Sequence, residues 1–108
     1  MRMYNLEFLP SAKNDMVEII KYISNTLNNP TAADSLAEKM IVAAEKLTEF
    51  PYSYPVYMPI RQLNHEYRRL AVNNYIMFYW VNEEEKLITI ARVVYSKRNY
   101  KELLNDSK

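Results

Sequence analysis

Apolar residues in the first half of the chain recur every three or four positions over two successive stretches. This spacing is typical of amphipathic helices, which turn one apolar face toward a core. The first stripe comprises Ala12, Met16, Ile19, Ile20, Ile23 and Leu27, and the second comprises Ala33, Leu36, Met40, Ala43, Leu47 and Phe50. Ser11 is the predicted N-cap of the first helix, and Asn29 with Pro30 is predicted to begin the second. The short connection between them predicts an antiparallel helical hairpin.

Strands are predicted on both sides of this hairpin. Residues 3–9 (MYNLEFL) alternate in character and end at Pro10, which predicts one short strand. After residue 65, the segments EYRRLAV, YIMFYWV and LITIARVVY predict three more strands. Asn73 and Asn74 predict a two-residue type I′ turn, because asparagine tolerates a positive φ, and residues 82–86 predict the next turn.

Strands joined by such short turns pair as antiparallel neighbours. The chain is therefore predicted to be an α+β protein of order β-α-α-β-β-β, in which an antiparallel meander carries the helical hairpin on one face. Residues 51–65 contain three prolines and no hydrophobic period, which indicates an ordered loop. Residues 100–104 (YKELL) predict a short terminal helix.

Both faces of the last two predicted strands are largely apolar. Strict alternation in the last strand places Ile88, Ile90, Arg92 and Val94 on one side, and Leu87, Thr89, Ala91, Val93 and Tyr95 on the other. The face that the helices leave uncovered then needs a cover of its own. Another chain would provide it, and so would the chain's own loop at 51–65 or its C-terminal tail. The pattern leaves both interpretations open.

Composition narrows the function classes. With 108 residues, of which 49% are apolar, the chain is expected to form a single domain over residues 1–108. It contains no cysteine, which excludes disulfides and thiolate chemistry, and no glycine, which excludes the phosphate-binding loops of nucleotide cofactors. No apolar run approaches a membrane span and the N-terminus does not resemble a signal peptide, so we expect a cytoplasmic protein without a membrane partner. No cofactor and no metal are expected.

Charge is divided unevenly along the chain. Residues 1–54 carry five Lys or Arg against seven Asp or Glu, whereas residues 55–108 carry nine against six. A surface for an anionic partner is therefore expected in the second half. Its candidate side chains lie on or just after the predicted strands and are Arg68, Arg69, Arg92, Tyr95, Lys97, Arg98 and Tyr100.

Taken in order, these segments resemble the RelE/ParE superfamily of bacterial type II toxins. The resemblance runs from about Tyr4 to Leu104. It rests on the short first strand, the helix SAKNDMVEIIKYI, the second helix that begins at NP and ends in LTEFP, and the segments YRRLAVNNYIMFYWV and ITIARVVYSKRNY. The arginine-rich strand and the RVVY segment followed by Arg98 are closest to the ParE-like branch.

The resemblance implies a small growth-inhibiting toxin that a cognate antitoxin binds and masks. In the ParE-like branch the implied target is DNA gyrase, and in the RelE-like branch it is mRNA on the ribosome, cut by an endoribonuclease. A relic that binds its antitoxin without toxicity is the third hypothesis, and we prefer the first. The assembly state stays open between a homodimer and a hetero-oligomer with antitoxin.

The two activities demand different chemistry. Cleavage of RNA through its own 2′-hydroxyl needs proton transfer and cations that stabilise the charge on the transition state, and it needs no metal. If the protein is such a ribonuclease, Arg69, Arg92, Tyr95 and Arg98 are the candidate catalytic residues, and Lys97 would assist proton transfer. For binding of a target or a nucleic acid, the candidates are Arg61, Arg68, Lys97 and Tyr100.

Structural roles compete with these functional ones. Arg68 and Arg69 are adjacent, so one of them is predicted to face inward and to pair with Glu7 or Asp15. Arg92 is expected either in an internal ion pair or on an active surface. His65, the only histidine, is expected to be an ordinary loop residue. The run from Glu83 to Glu85 is expected to be a solvated turn.

Overall fold

The computed structural model describes residues 3–57 and 65–97. Its elements are β1 (Asn5–Phe8), α1 (Pro10–Lys21), a π-helical turn (Tyr22–Thr26), α2 (Pro30–Lys46), β2 (Arg68–Val72), β3 (Tyr75–Asn82) and β4 (Leu87–Tyr95). The predicted α+β order β-α-α-β-β-β is confirmed. The helix predicted at residues 100–104 lies outside the described residues. Within the described ranges, no helix has both the length and the apolar character that crossing a membrane requires.

The four strands form one mixed sheet of order β1-β4-β3-β2. β2, β3 and β4 form the predicted antiparallel meander. β1 adds to it beside β4 in a parallel orientation, in register from Asn5 opposite Leu87 to Phe8 opposite Ile90. α1 and α2 connect β1 to the meander. A connection of this length allows the chain to come back so that β4 lies beside β1 in a parallel orientation. The parallel pair is a feature that the sequence pattern did not predict.

A β-bulge interrupts β4. Phe78 pairs with Arg92 and Tyr79 pairs with Ile90, so Ala91 is an extra residue in the ladder. An extra residue reverses the faces of the residues that follow it. Ile90 and Val93 therefore belong to the same core, whereas Ala91 lies in the opposite one. The strict alternation predicted for this strand is wrong from Arg92 onward for this reason.

The main core lies between the sheet and the helices. Its buried residues are Tyr4, Ala12, Leu36, Met40, Ala44, Leu47, Leu70, Val72, Met77, Tyr79, Ile88, Ile90 and Val93. Two members of the predicted stripes are exposed instead: Leu27 is 55% exposed and Phe50 is 64% exposed. Leu27 follows the π-helical turn, which shifts the phase of the helix, and Phe50 follows the end of α2 at Lys46.

A second core covers the other face of the sheet. Its buried residues are Tyr67, Ile76, Phe78, Ala91 and Val94. These side chains are buried in the single chain, so the chain itself covers them. Tyr57, from the predicted loop, packs with its ring edge-on to Phe78 at a centroid distance of 5.3 Å. Of the two covers that the sequence left open, the structure shows the chain's own loop.

Helix ends and turns follow local chemistry in part. Asn29 caps α2 as predicted, accepting a hydrogen bond from the Ala32 N–H at 3.2 Å, and Pro30 is the first helical residue. Ser11 does not cap α1, because the helix already begins at Pro10. Of the two turn asparagines, Asn73 has a φ of 53° and Asn74 has no positive φ. The hairpin has the predicted two-residue length. The predicted type I′ conformation is wrong, because that turn needs a positive φ at both residues.

Candidate functional site

Side chains of α1 complete the outer edge of β4. β1 ends at Phe8, and the last bond to β4 on this side is from the Leu9 N–H to the Ile90 carbonyl at 2.9 Å. Beyond it, the Ser11 hydroxyl donates to the Ala91 carbonyl at 2.7 Å. The Asp15 carboxylate accepts from the Val93 N–H at 2.9 Å. Two side chains one helical turn apart thus replace the strand that is missing here.

The same carboxylate binds Arg92. Nε of Arg92 lies 2.8 Å from Oδ2 of Asp15, and Nη2 lies 3.0 Å from Oδ1. The two side chains are only 15% and 16% exposed. Paired, planar contacts of this kind are the strong form of an arginine–carboxylate interaction. Of the two roles that the sequence left open for Arg92, the structure shows the internal ion pair.

Arg68 is the inward-facing member of the adjacent arginine pair. Its Nη1 donates to the Tyr54 carbonyl at 2.7 Å, and its guanidinium lies 5.0 Å from the centre of the Tyr52 ring. Its carboxylate partner is Glu66, at 3.8 Å. The predicted pairing of this arginine with Glu7 or Asp15 is wrong, because two strands separate β2 from β1, which carries Glu7, and Asp15 pairs with Arg92.

The remaining predicted residues are dispersed. Arg69 is exposed on the face away from the helices, in one cross-strand row with Phe78 and Arg92. Two strand spacings separate the arginine backbones by about 10 Å. Tyr95 lies near the helical side, with its ring 5.8 Å from that of Tyr75, and Lys97 is exposed beyond it. Arg61, Arg98 and Tyr100 lie outside the described residues.

An open groove of about 1020 Å³ lies between the helices and the end of the sheet. The π-helical turn and the N-terminus of α2 form one wall, and the β2–β3 turn with the end of β4 forms the other. We call it the end groove. Its lining residues are Asp15, Glu18, Ile19, Tyr22, Ile23, Leu27, Asn29, Ala32, Leu36, Asn73, Asn74, Tyr75, Val93, Val94 and Tyr95.

Apolar side chains remain uncovered in the end groove. Tyr22 is 52% exposed, Leu27 is 55% exposed and Tyr95 is 43% exposed. Burial, and then the neighbouring Tyr22 and Tyr95, raise the pKa of Tyr75, so its phenol stays neutral. The lining includes two carboxylates and neither lysine nor arginine among the described residues. Such a surface suits an apolar segment and offers no lining cation to a phosphate chain.

The pattern of apolar residues did not predict this groove. It placed Leu27 on a buried stripe and did not single out Tyr22. The groove depends on the π-helical turn, in which the Leu27 N–H donates to the Tyr22 carbonyl at 3.0 Å across five residues. No residue pattern announces such a turn, although π-helical turns are frequent at functional sites. The only local signal is Asn28-Asn29-Pro30, of which Asn28 has a φ of 55°.

Glu83 is a second centre of polar contacts. The Tyr4 hydroxyl donates to its two oxygens at 2.9 and 3.1 Å, and the Tyr52 hydroxyl and the Lys86 ammonium also bind it. Hydrogen bonds from Lys86, then from Tyr52 and Tyr4, lower the pKa of Glu83 to about 2. The predicted turn is present, with Glu84 and Glu85 exposed, but Glu83 holds other segments to it.

His65 stacks on Trp80. The two rings are parallel within 4° and their centroids are 3.6 Å apart. Burial lowers the pKa of His65, so the imidazole is held neutral. In the described ranges, no three His, Asp or Glu side chains cluster closely enough to hold a metal ion. His65 therefore contributes to the aromatic cover of the second core.

Comparison with known proteins places this fold. Residues 6–100 match a family model described as "ParE toxin of type II toxin-antitoxin system, parDE". A solved structure from the chromosomal ParDE system of P. aeruginosa aligns with a TM-score of 0.69 and 18% identity, over 88% of this chain and 98% of the other. A chain of the RelBE2 toxin–antitoxin complex of Mycobacterium tuberculosis aligns with a TM-score of 0.55 and 18% identity, over 85% and 96%. No curated protein matches the sequence.

Proposed function

The chain belongs to the ParE toxin family of type II toxin–antitoxin systems, and on this premise we propose that it inhibits growth by binding an essential target in the cytoplasm. DNA gyrase is the first candidate target, in keeping with the ParE-like branch. A cognate antitoxin neutralises the protein by binding it. The RelE-like alternative is ribosome-dependent cleavage of mRNA.

The Asp15–Arg92 ion pair is the observation that favours target binding over mRNA cleavage. Arg92 is a candidate cation for a ribonuclease, but its guanidinium faces a carboxylate at 2.8 and 3.0 Å. An arginine whose charge is neutralised in this way contributes little to stabilising the negative charge of the transition state for RNA cleavage. Asp15 also accepts the Val93 N–H, so moving it away would break a backbone contact of β4. This arrangement supports a protein that binds its target and does not cut RNA.

The distribution of the other candidates agrees with binding. Arg69 and Tyr95 lie on different sides of the sheet, and Phe78 lies between Arg69 and Arg92 in the cross-strand row. A ribonuclease site needs its acid, base and cations within reach of one phosphate. Exposed cations such as Arg69 and Lys97 suit recognition of an anionic or acidic partner. Arg61 and Tyr100 remain candidates for the same role.

The end groove is the surface that we assign to the antitoxin. It leaves Tyr22, Leu27 and Tyr95 in contact with solvent in the free chain. Exposed apolar side chains that line one groove indicate an interaction site. Asp15 is paired with Arg92, so Glu18 is the lining carboxylate that favours an apolar segment that also carries Lys or Arg. A helix or an extended segment of the antitoxin would meet both demands.

Assays with the purified protein test whether its target is gyrase or mRNA. We expect it to produce gyrase-dependent DNA breaks or to block supercoiling, while mRNA stays intact in a translation extract. Lys97→Glu is expected to weaken the effect, because it reverses an exposed charge at the predicted target surface. Lys39→Glu makes the same change on the exposed side of α2 and is the matched control.

Cleavage of mRNA in the extract would support the RelE-like alternative, provided that Arg69→Ala abolishes it. Arg69 is exposed, so this substitution leaves the fold intact, whereas Arg92→Ala would also break the ion pair with Asp15. If induction of the gene alone causes no growth arrest, the protein is a relic that retains only antitoxin binding.

A further inference from the structure

Residues 50–57, which we call the strap, meet the outer edge of β2 through the backbone of their last three residues. The Arg69 N–H donates to the Pro55 carbonyl at 3.0 Å, and the Tyr57 N–H donates to the Tyr67 carbonyl at 2.8 Å. Val56 and Arg68 form an isolated antiparallel bridge between these bonds. The strap thus occupies the position of one more strand, at the end of the sheet where β2 is the last regular strand.

Side chains fasten the first part of the strap. The Tyr52 hydroxyl donates to the Glu83 carboxylate, which reaches it from the β3–β4 turn. Arg68 holds the Tyr54 carbonyl at 2.7 Å. The Tyr79 hydroxyl donates to the Pro51 carbonyl at 2.8 Å, at the point where the strap leaves the helical side. The fastening therefore depends on a few polar contacts.

The backbone of the strap is only weakly bound to the edge of β2. Its two prolines, Pro51 and Pro55, have no N–H to donate to a ladder. Much of its side-chain surface is exposed, including Phe50 at 64%, Tyr52 at 49% and Tyr54 at 36%. Segments with few buried contacts open locally at a small fraction of the free energy of global unfolding. By contrast, β2 pairs with β3 over its whole length.

We propose that the strap is a releasable cover of the β2 edge, and that the contact between Tyr52 and Glu83 is the pin that holds it closed. Opening exposes the Arg69 N–H and the Tyr67 carbonyl, which are the groups that a sheet edge offers to another strand. It also withdraws Tyr57 from Phe78 and so uncovers part of the second core. The device thus controls whether this side of the sheet is closed or available.

Two Tyr→Phe variants distinguish the proposed pin from a neighbouring hydrogen bond to the same carboxylate. Tyr52→Phe and Tyr4→Phe each remove one hydroxyl that donates to Glu83, but only Tyr52 lies on the strap. Hydrogen exchange of the full chain is measured at the amides of Arg69 and Tyr57, with the amides of β3 as the internal reference. We expect Tyr52→Phe to speed exchange at Arg69 and Tyr57 by about tenfold and to leave β3 unchanged. Tyr4→Phe should stay within about twofold of the wild-type rates.

Glu83→Gln provides a second route, since it removes the charge that both hydroxyls bind. It is expected to speed exchange at the same two amides. The proposal is overturned if neither Tyr52→Phe nor Glu83→Gln changes those amides. It is also overturned if Tyr4→Phe accelerates them equally, or if β3 accelerates together with them, because the strap would then open only when the whole domain unfolds.

Discussion

Asp15 joins α1 to β4 through both of its carboxylate oxygens. Oδ2 accepts from Arg92 Nε and from the Val93 N–H, while Oδ1 accepts from Arg92 Nη2. A partly buried carboxylate with three charge-assisted or backbone donors is well compensated for its lost hydration. Its removal would leave both the guanidinium and the backbone N–H without this acceptor.

Asp15→Ala is therefore expected to lower the free energy of unfolding by about 3 kcal/mol, because it removes the carboxylate that pairs with a largely buried guanidinium. Urea denaturation measures this loss. Glu18→Ala is the matched control, since it removes an exposed carboxylate from the same helix and is expected to change stability by less than about 0.5 kcal/mol. Equal small effects of the two substitutions would show that the ion pair adds little to stability.

His65 gives a pH dependence with a definite sign. Burial against Trp80 lowers its pKa below 6.5, so the unfolded chain takes up the proton first as the pH falls. Stability from this residue is complete above about pH 6.5 and is lost as the pH falls toward the lower, folded-state pKa. Melting temperatures of the wild type and His65→Phe, measured from about pH 8 to pH 5, check this. The wild type should lose stability relative to His65→Phe, and parallel curves would contradict the prediction.

The boundaries of α2 are set by local chemistry. Asn29 supplies the cap and Pro30 the first helical φ, and both were predicted because each acts within one turn of its own position. Asn29→Ala is expected to cost about 1 kcal/mol and to lower the melting temperature by about 4–8 °C. Asn29→Ser keeps an acceptor at the cap and should retain most of the stability. A similar loss in both variants would point to the backbone of this turn and not to the cap.

The π-helical turn and the β-bulge, unlike the boundaries of α2, were not predicted from neighbouring residues. Neither the π-helical turn at Tyr22–Thr26 nor the bulge at Ala91 has a residue signature in the chain. The bulge lies where β1 ends and α1 begins to supply bonds to β4 through Ser11 and Asp15. The elements themselves were predictable from periodicity, which acts over neighbouring residues. The bulge adjoins contacts between distant parts of the chain, since Asp15 and Val93 are 78 residues apart.

On the scale of the whole molecule, the two faces of the sheet differ in how far the chain covers them. The face away from the helices is closed by the chain itself, whereas the end groove on the helical side stays open. The sequence left open a partner chain or the chain's own loop as the cover of the first of these faces, and it did not predict the groove on the helical side. Sheet order decides which strand ends meet which helices, and the order β1-β4-β3-β2 brings the β2–β3 turn to the π-helical turn.

Leu27→Glu tests the open groove. Leu27 is already 55% exposed, so stability should change by less than about 0.5 kcal/mol, while a charge in the groove should prevent the antitoxin from restoring growth. Val17→Glu is the control, because Val17 is 48% exposed on α1 and does not line the groove. Growth during co-expression with the antitoxin measures both. Equal rescue of the two variants would exclude the groove as the antitoxin site.

The amino-acid sequence by itself determined the elements, their order, the cap of α2 and the family resemblance, because periodicity, caps and turn residues act over a few neighbouring positions. Only the tertiary structure decided that Arg92 pairs with Asp15, that Arg68 binds the Tyr54 carbonyl, and that Leu27 faces a groove. Each of these outcomes depends on which strands are neighbours and on where the bulge shifts their faces. Such long-range pairing is settled by the packing of the whole chain and leaves no mark on adjacent residues.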